Sequence, residues 1–478
     1  MIRYEAPLEA CAVLVLVTGQ LNAMQYKARP PRNWGRKLKG YAFGWSWFDP
    51  VSSWALRRLF VPSSILWAAA EEAGTSTARF YDAAHLRKDS VSEKKLTEAL
   101  SQISGAREKA DAKEAQWQRI FFGAEPSDNE SRRTAETERY AASHAYNLSR
   151  RHFGFMLRND APKIRAATQS PDEVAAIYGA NFEKLNFDFA PTGSVPIEMS
   201  KKLERAAGID YWLRFQSPSQ LLGDTVYARV LEPHGVENPP TIIFGHGICI
   251  EFDHWRGLID EARTLRAEGF RVIRPVAPWH GRRRPRGSFG GQPIMARIPG
   301  GLFDAFTGAA QEWAVLAEWA RRTSKGPLAY GGTSLGALIA QFAAEKIGAK
   351  NEQLRPDGMF LITHSGRMTD ATFQGDMASL LGVSLDTEAN GWTRERIEQG
   401  LGLLDPSLLP AVRPEKIVTV LGRRDRITPF ASGLSLIDSW GVPDENRFVW
   451  DRGHFSMPLT MIRNPAPVAR FREVMTRS

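Results

Sequence analysis

Pro327-Leu-Ala-Tyr-Gly-Gly-Thr-Ser-Leu-Gly-Ala-Leu-Ile-Ala-Gln-Phe-Ala-Ala-Glu-Lys346 is the stretch whose reading decides the fold. Residues 328–330 are a short apolar run of the kind that makes a buried strand, and after Gly336 apolar residues recur at helical spacing with no Pro or Gly to interrupt them. Between the two lies Gly332-Thr333-Ser334-Leu335-Gly336, which fits G-x-S-x-G. A strand that turns at once into a helix forces its central residue into strained geometry and crowds the elements on either side. Glycine at 332 and 336 permits that approach, and the Ser334 hydroxyl is left projecting from the sheet. The helix that starts there aims its unpaired N–H groups and positive dipole end at the same spot.

Outward from this turn the chain alternates strands and helices. Strands are expected at 225–231, 241–245, 271–276, 328–330, 358–363, 416–421 and 447–450, with helices at 257–267, 302–322 and 334–347. Short apolar strands separated by helices predict a mostly parallel sheet covered on both faces, with reactive groups at the carboxyl ends of its strands. With its pentapeptide in this setting, the chain resembles the α/β-hydrolase superfamily from about Trp212 to the C-terminus.

That resemblance implies an α/β-hydrolase fold and a serine nucleophile, followed in chain order by an acid and a histidine. A hydroxyl attacks only when a base takes its proton and a carboxylate orients the base. Ser334 is the expected nucleophile. Asp425, in Gly422-Arg-Arg-Asp-Arg-Ile-Thr-Pro429, has the G-x-x-D-x-x-x-P spacing of the family's acid loop and closely follows a strand. His454, just past the last strand, is the expected base. Asp370 and Asp451 are the alternative acids, and His280 and His364 the alternative bases.

Phe244-Gly-His-Gly-Ile-Cys249 resembles the family's His-Gly oxyanion loop, and by that likeness the amides of Ile248 and Leu335 are the oxyanion donors. His246 and Gly247 then belong to the substrate side. Trp279 and His280 lie in a loop whose position matches one lining the site mouth in such enzymes. In the same loop Arg282, Arg283, Arg284 and Arg286 read either as a carboxylate or phosphate site or as a solvated basic loop. Together with Asp253-His-Trp-Arg256 this loop resembles a lipid-acting branch of the superfamily. Residues 366–410 break the strand–helix rhythm and are expected to form a helical cap insertion. Its Met and aromatic residues, Trp392 among them, favour an apolar acyl or alcohol group. The implied activity is carboxylic ester hydrolysis on a small-molecule substrate. Amide, thioester or acyl-transfer chemistry at the same residues and a non-catalytic scaffold are the alternatives.

Composition narrows the remaining choices. The chain has 478 residues, enough for one large or two ordinary domains, and a formal net charge of +9 that favours anionic surfaces without defining a function. No nucleic-acid signature is present. Two cysteines, Cys11 and Cys249, allow no disulfide framework, and no histidine pair has metal-ligand spacing, so a reducing, cytoplasmic setting with neither metal nor organic cofactor is expected. The apolar run 11–17 is too short to span a bilayer and reads as a buried segment.

Residues 1–185 are expected to form a mainly helical N-terminal domain, with 186–478 the catalytic domain. From Lys27 to Arg58 eight basic residues, interleaved with aromatics, face a single acid, Asp49. Basic plus aromatic is the composition of a membrane-interface anchor, and equally of a segment laid across another part of the protein or a partner. Peripheral membrane contact through 26–67 and homo-oligomer formation are therefore both open. Solvated helices are expected at 90–122 and 132–158, parted by a break at 127–131.

Overall fold

The computed structural model describes residues 47–87, 91–157, 162–186, 195–249, 260–383 and 390–477. Ten strands form one sheet: β1 (Glu198–Met199), β2 (Leu203–Arg205), β3 (Gly208–Gln216), β4 (Thr225–Glu232), β5 (Thr241–Gly245), β6 (Arg271–Pro275), β7 (Leu328–Thr333), β8 (Gly358–Ile362), β9 (Ile417–Gly422) and β10 (Arg447–Trp450). They are ordered β1-β3-β4-β6-β5-β7-β8-β9-β10, with β2 paired to β3. From β6 to β10 along that order every ladder is parallel, whereas β1, β2 and β4 pair β3 antiparallel and β4 pairs β6 antiparallel.

Strand periodicity splits the apolar residues between two layers. Ile242 and Phe244 of β5 face a cluster with Leu265, Met457 and Phe471, from helices Glu261–Ala267, Ser456–Arg463 and Ala466–Thr476. Ile243 faces the opposite cluster, built on helices Gly300–Thr323 and Leu335–Lys350. All the expected strands form. The first three of the sheet were not legible as strands because polar residues interrupt their apolar pattern. Asp210 of β3 is buried because it gathers Arg205 at 2.6 Å, Arg266 at 2.7 Å and Arg229.

The N-terminal part is helical, as the composition predicts: Phe48–Ala55, Val61–Ala73, Thr77–Ala84, Glu93–Phe122, Asn129–Leu148 and Pro171–Tyr178. Its apolar residues do not keep to themselves. Val61, Val174, Tyr178 and Phe182 belong to the same cluster as Phe303 and Ala337, so one core runs across residue 185. Residues 11–17, 26–46 and 253–256 lie outside the described residues. Of the stretch 26–67, the part from Trp47 onward is described; Trp47 and Trp54 are exposed, and Leu66 and Trp67 are buried. Among the described residues no helix is long and apolar enough to cross a membrane.

The arginine loop departs from both readings of it. Arg282 lies 4.1 Å over the Trp117 ring and 4.6 Å over that of Trp212, joining an N-terminal helix to β3. The Arg283 guanidinium, wholly buried, reaches Glu312 at 2.6 Å and Asp224 at 2.8 Å. Arg284 pairs with Glu71, which also accepts from the Tyr146 hydroxyl at 3.1 Å. Burial alone would raise the Glu71 carboxyl, but the Arg284 guanidinium holds it below its ordinary range. Arg282 and Arg284 fasten the N-terminal helical part to the loop after β6, Arg283 ties that loop to helix Gly300–Thr323, and Arg286 is the exposed one of the four.

Arg283→Ala should destabilise the protein by about 3–5 kcal/mol, because it strands Glu312 as a buried, unpaired carboxylate. Urea unfolding at neutral pH checks this. An unchanged midpoint would mean the pair contributes nothing.

Candidate active site

β7 runs directly into the helix Leu335–Lys350, and Ser334 occupies the junction with φ 56° and ψ −120°. For a residue with a Cβ this conformation costs on the order of 1–3 kcal/mol. Packing imposes it. A Cβ built on Gly336 would sit 2.2 Å from the Gly245 carbonyl carbon, and one on Gly332 would sit 2.4 Å from that of Gly336. The Ser334 amide donates to Ile362 O at 2.9 Å, fixing the turn to β8.

His454 and Asp425 converge on this hydroxyl from the ends of β10 and β9. Ser334 Oγ and His454 Nε2 are 3.0 Å apart, and His454 Nδ1 and Asp425 Oδ2 are 2.8 Å apart. Asp425 is held by its own loop: Oδ1 accepts from the Ile427 and Thr428 amides at 2.9 and 3.0 Å. With the carboxylate on Oδ2, Nδ1 carries the proton, which leaves Nε2 to accept from the serine hydroxyl. The Thr428 hydroxyl lies 3.0 Å from Asp425 Oδ2 and 2.9 Å from Thr363 O, bridging the acid to the end of β8. The loops that carry Asp425 and His454 are also laced together. The Arg423 amide donates to Trp450 O at 2.8 Å, the Arg424 amide to Arg452 O at 3.0 Å, and the Arg424 side chain grips Asp451.

Ser334 is 6% exposed and Asp425 5%, so the array sits below the surface. Leu335 opens the helix, and its amide, like those of any first helical turn, has no carbonyl partner within the helix. Ile248, half-buried, lies in a turn just past β5. His280 shapes that turn: its Nδ1 bonds Pro278 O at 2.8 Å, and its Nε2 accepts from the Cys249 amide at 3.2 Å. Cys249 is buried, with a positive φ of 60°.

Several expected substrate contacts are corrected by their surroundings. His246 is 1% exposed; its Nδ1 bonds Gly247 O and its Nε2 accepts from the Ala277 amide at 3.1 Å. His280 is equally buried, so neither imidazole has a nitrogen left for substrate. Both act as backbone struts. Trp392, also 1% exposed, donates its indole N–H to Gln169 O at 2.7 Å and stacks with Phe182, so it is core between the insertion and the N-terminal part. Gly247 is buried in the turn with Ile248, and Trp279 is half-buried, its carbonyl accepting from the Gly291 amide at 3.0 Å.

The alternative acids and bases are engaged elsewhere. Asp370 accepts from the Ser432 hydroxyl at 2.6 Å, and Asp451 pairs with Arg424 rather than with the neighbouring Arg452. His364 is buried between Gln341 and Thr419 at 2.9 and 2.8 Å. Thr428 and Asp49, treated below, are the polar residues near the array that motif reading missed. Thr428 does stand inside the acid-loop motif, and Asp49 is the lone acid of a basic stretch.

A mostly parallel sheet with a strand–serine–helix turn at its centre, and acid and histidine at the ends of later strands, is an α/β-hydrolase fold. Among solved structures, the acetyl xylan esterase from Paenibacillus sp. R4 aligns with 65% of this chain and 97% of its own, at 12% identity and a TM-score of 0.44. Acetyl xylan esterase 1 from Thermoanaerobacterium sp. JW/SL YS485 aligns with 62% of this chain and 96% of its own (14% identity, TM-score 0.41). An S-formylglutathione hydrolase from Agrobacterium tumefaciens aligns with 57% and 98% (13% identity, TM-score 0.37). No family model and no curated protein matches the chain.

Burial lowers both His280 and His364 to about 4. Each binds its proton more readily in the unfolded chain, so the stability its neutral form contributes is complete above about 6.5 and is lost as pH falls from there through about 4. Unfolding free energies from urea titration should therefore drop between pH 7 and pH 4.5, by roughly 2 kcal/mol per histidine. His364→Gln should flatten that dependence, and an equally steep profile in the variant would assign the loss to other groups.

Proposed function

We propose that the protein is a serine hydrolase that cleaves carboxylic esters through an acyl-enzyme. The observation that carries this reading is the continuous hydrogen-bonded relay Ser334–His454–Asp425, with contacts of 3.0 and 2.8 Å, drawn from three separate strand ends. In this reading Ser334 Oγ attacks the ester carbonyl carbon while His454 Nε2 takes the hydroxyl proton. Asp425 holds the Nδ1–H tautomer and stabilises the imidazolium. The carbonyl electron pair moves onto oxygen, where the amides of Leu335 and Ile248 are the proposed donors. Collapse of the tetrahedral adduct expels the alcohol, which receives the proton from His454. Water then repeats the sequence on the acyl-enzyme, releasing the acid and free Ser334.

An apolar acyl or alcohol group is the proposed preference. Supporting it, Phe455 lies edge-on to His454 at 5.7 Å between centroids, and Leu335 follows the nucleophile directly. Among the described residues no lysine or arginine side chain is hydrogen-bonded to Ser334, His454 or Asp425.

A p-nitrophenyl ester series from short to long acyl chain tests both levels. Wild type should turn over, Ser334→Ala should lose roughly 10³-fold or more, and Asp425→Asn about 10³- to 10⁴-fold, with each variant folded by circular dichroism. Full activity in Ser334→Ala would overturn the serine mechanism. Preference for acetyl over longer chains would overturn the apolar substrate. Acyl transfer to an added alcohol in place of acid release would reassign the enzyme to transferase chemistry at the same residues.

A further inference from the structure

We propose that Asp49 is a positioning residue for His454, reaching it through the loop that carries the imidazole. This rests on the hydrolase reading of Ser334, His454 and Asp425. Asp49 lies in the first turn of helix Phe48–Ala55, some four hundred residues away in sequence, yet its carboxylate enters the His454 loop. Oδ1 accepts from the Phe455 amide at 2.7 Å and the Ser456 amide at 3.1 Å. Oδ2 accepts from the Gly453 amide at 3.2 Å and from the Ser456 hydroxyl. The bonded amides therefore belong to the residues on both sides of His454.

Two further features fit the same purpose. Gly453 is open to Asp49 only because it is glycine: a Cβ there would fall 2.5 Å from the Asp49 carboxyl carbon. Helix Ser456–Arg463 begins at Phe455 with no side-chain cap of its own. A carboxylate is the group that the unpaired amides and positive end of a helix favour, and here it comes from the far end of the chain.

His454 must meet a hydroxyl on one side and a carboxylate on the other, each within a few tenths of an ångström. Displacing a reacting group by about 1 Å can cost on the order of 10²-fold in rate. The loop's other ties, to Arg423 and Arg424, fix the stretch before Gly453. Asp49 fixes the stretch at and after it. A binding or partner role for the basic, aromatic stretch around Asp49 does not require its one acid to point inward. Orientation of the loop does.

Asp49→Ala should lower kcat on the best p-nitrophenyl ester roughly 10- to 100-fold, with KM within about twofold. Asp49→Asn keeps one acceptor oxygen for the Phe455 and Ser456 amides and should recover part of the loss. Gly453→Ala, which pushes the carboxylate out from the other side, should reproduce it. The far-downfield imidazole N–H proton resonance reports the His454–Asp425 contact without turnover, and it should be present in wild type and broadened or lost in Asp49→Ala. The proposal is overturned if Asp49→Ala and Gly453→Ala keep wild-type kcat per folded molecule, if KM rises while kcat holds, or if the resonance is unchanged. Absence of ester turnover in wild type would sink the hydrolase reading instead, and the resonance in the variants would still decide whether Asp49 orients the histidine.

Discussion

The contact between Gly336 and Gly245 governs this structure. The first turn of a helix rests on the end of the neighbouring strand so closely that neither residue has room for a side chain. That approach drives Ser334 into its positive φ, and it also fixes where β5 ends relative to β7. Leu335 stands one residue from one member of the pair, and Ile248 three residues from the other. The two amides proposed to meet the oxyanion are therefore indexed to a single backbone contact, as is the hydroxyl between them. Strain in the turn persists because helix and sheet are packed on every other side.

Around that centre, the buried arginines serve structure. Arg229 and Arg266 are drawn in by Asp210, Arg283 by Glu312 and Asp224, and Arg284 by Glu71. Each guanidinium is planar and multidentate, and it meets carboxylates or aromatic faces that lysine would satisfy less well. A net positive composition thus says less about what the molecule attracts than about how its layers are joined. The arginine-rich loop after β6 shows this most clearly, since its position by the site mouth suggests an anion site while Arg282, Arg283 and Arg284 turn away into the scaffold.

Much of this was legible from sequence where local rules and global architecture agree. Short apolar runs mark the parallel strands β5 to β9 because those strands are buried on both faces. The serine turn was readable because its glycines are demanded by backbone approach, and the places of Asp425 and His454 follow from strand ends. Long-range polar pairing was not legible. Asp210 in β3 looks like an interruption until three arginines from other elements are placed around it. His246 and His280 stand where substrate contacts are expected, and only the structure reveals the amides of Ala277 and Cys249 that they accept from. Trp392 reads as a pocket aromatic because its partners, Phe182 and Gln169, lie two hundred residues upstream. Asp49 carried a faint signal as the one acid in a basic stretch, but nothing local could name the loop it enters.

The Asp49 contacts join residues 404 to 407 positions apart, nearly the whole length of the chain. A ribosome exposes Asp49 long before Gly453 exists, so the carboxylate must remain solvated while the sheet is assembled behind it. Bonds of such high sequence separation form late, after most loop-closure entropy has been lost to other contacts. The loop that carries His454 then completes its setting by docking on a carboxylate some four hundred positions earlier in the chain. The serine turn, whose contacts lie within and between neighbouring strands, is expected to settle before this docking.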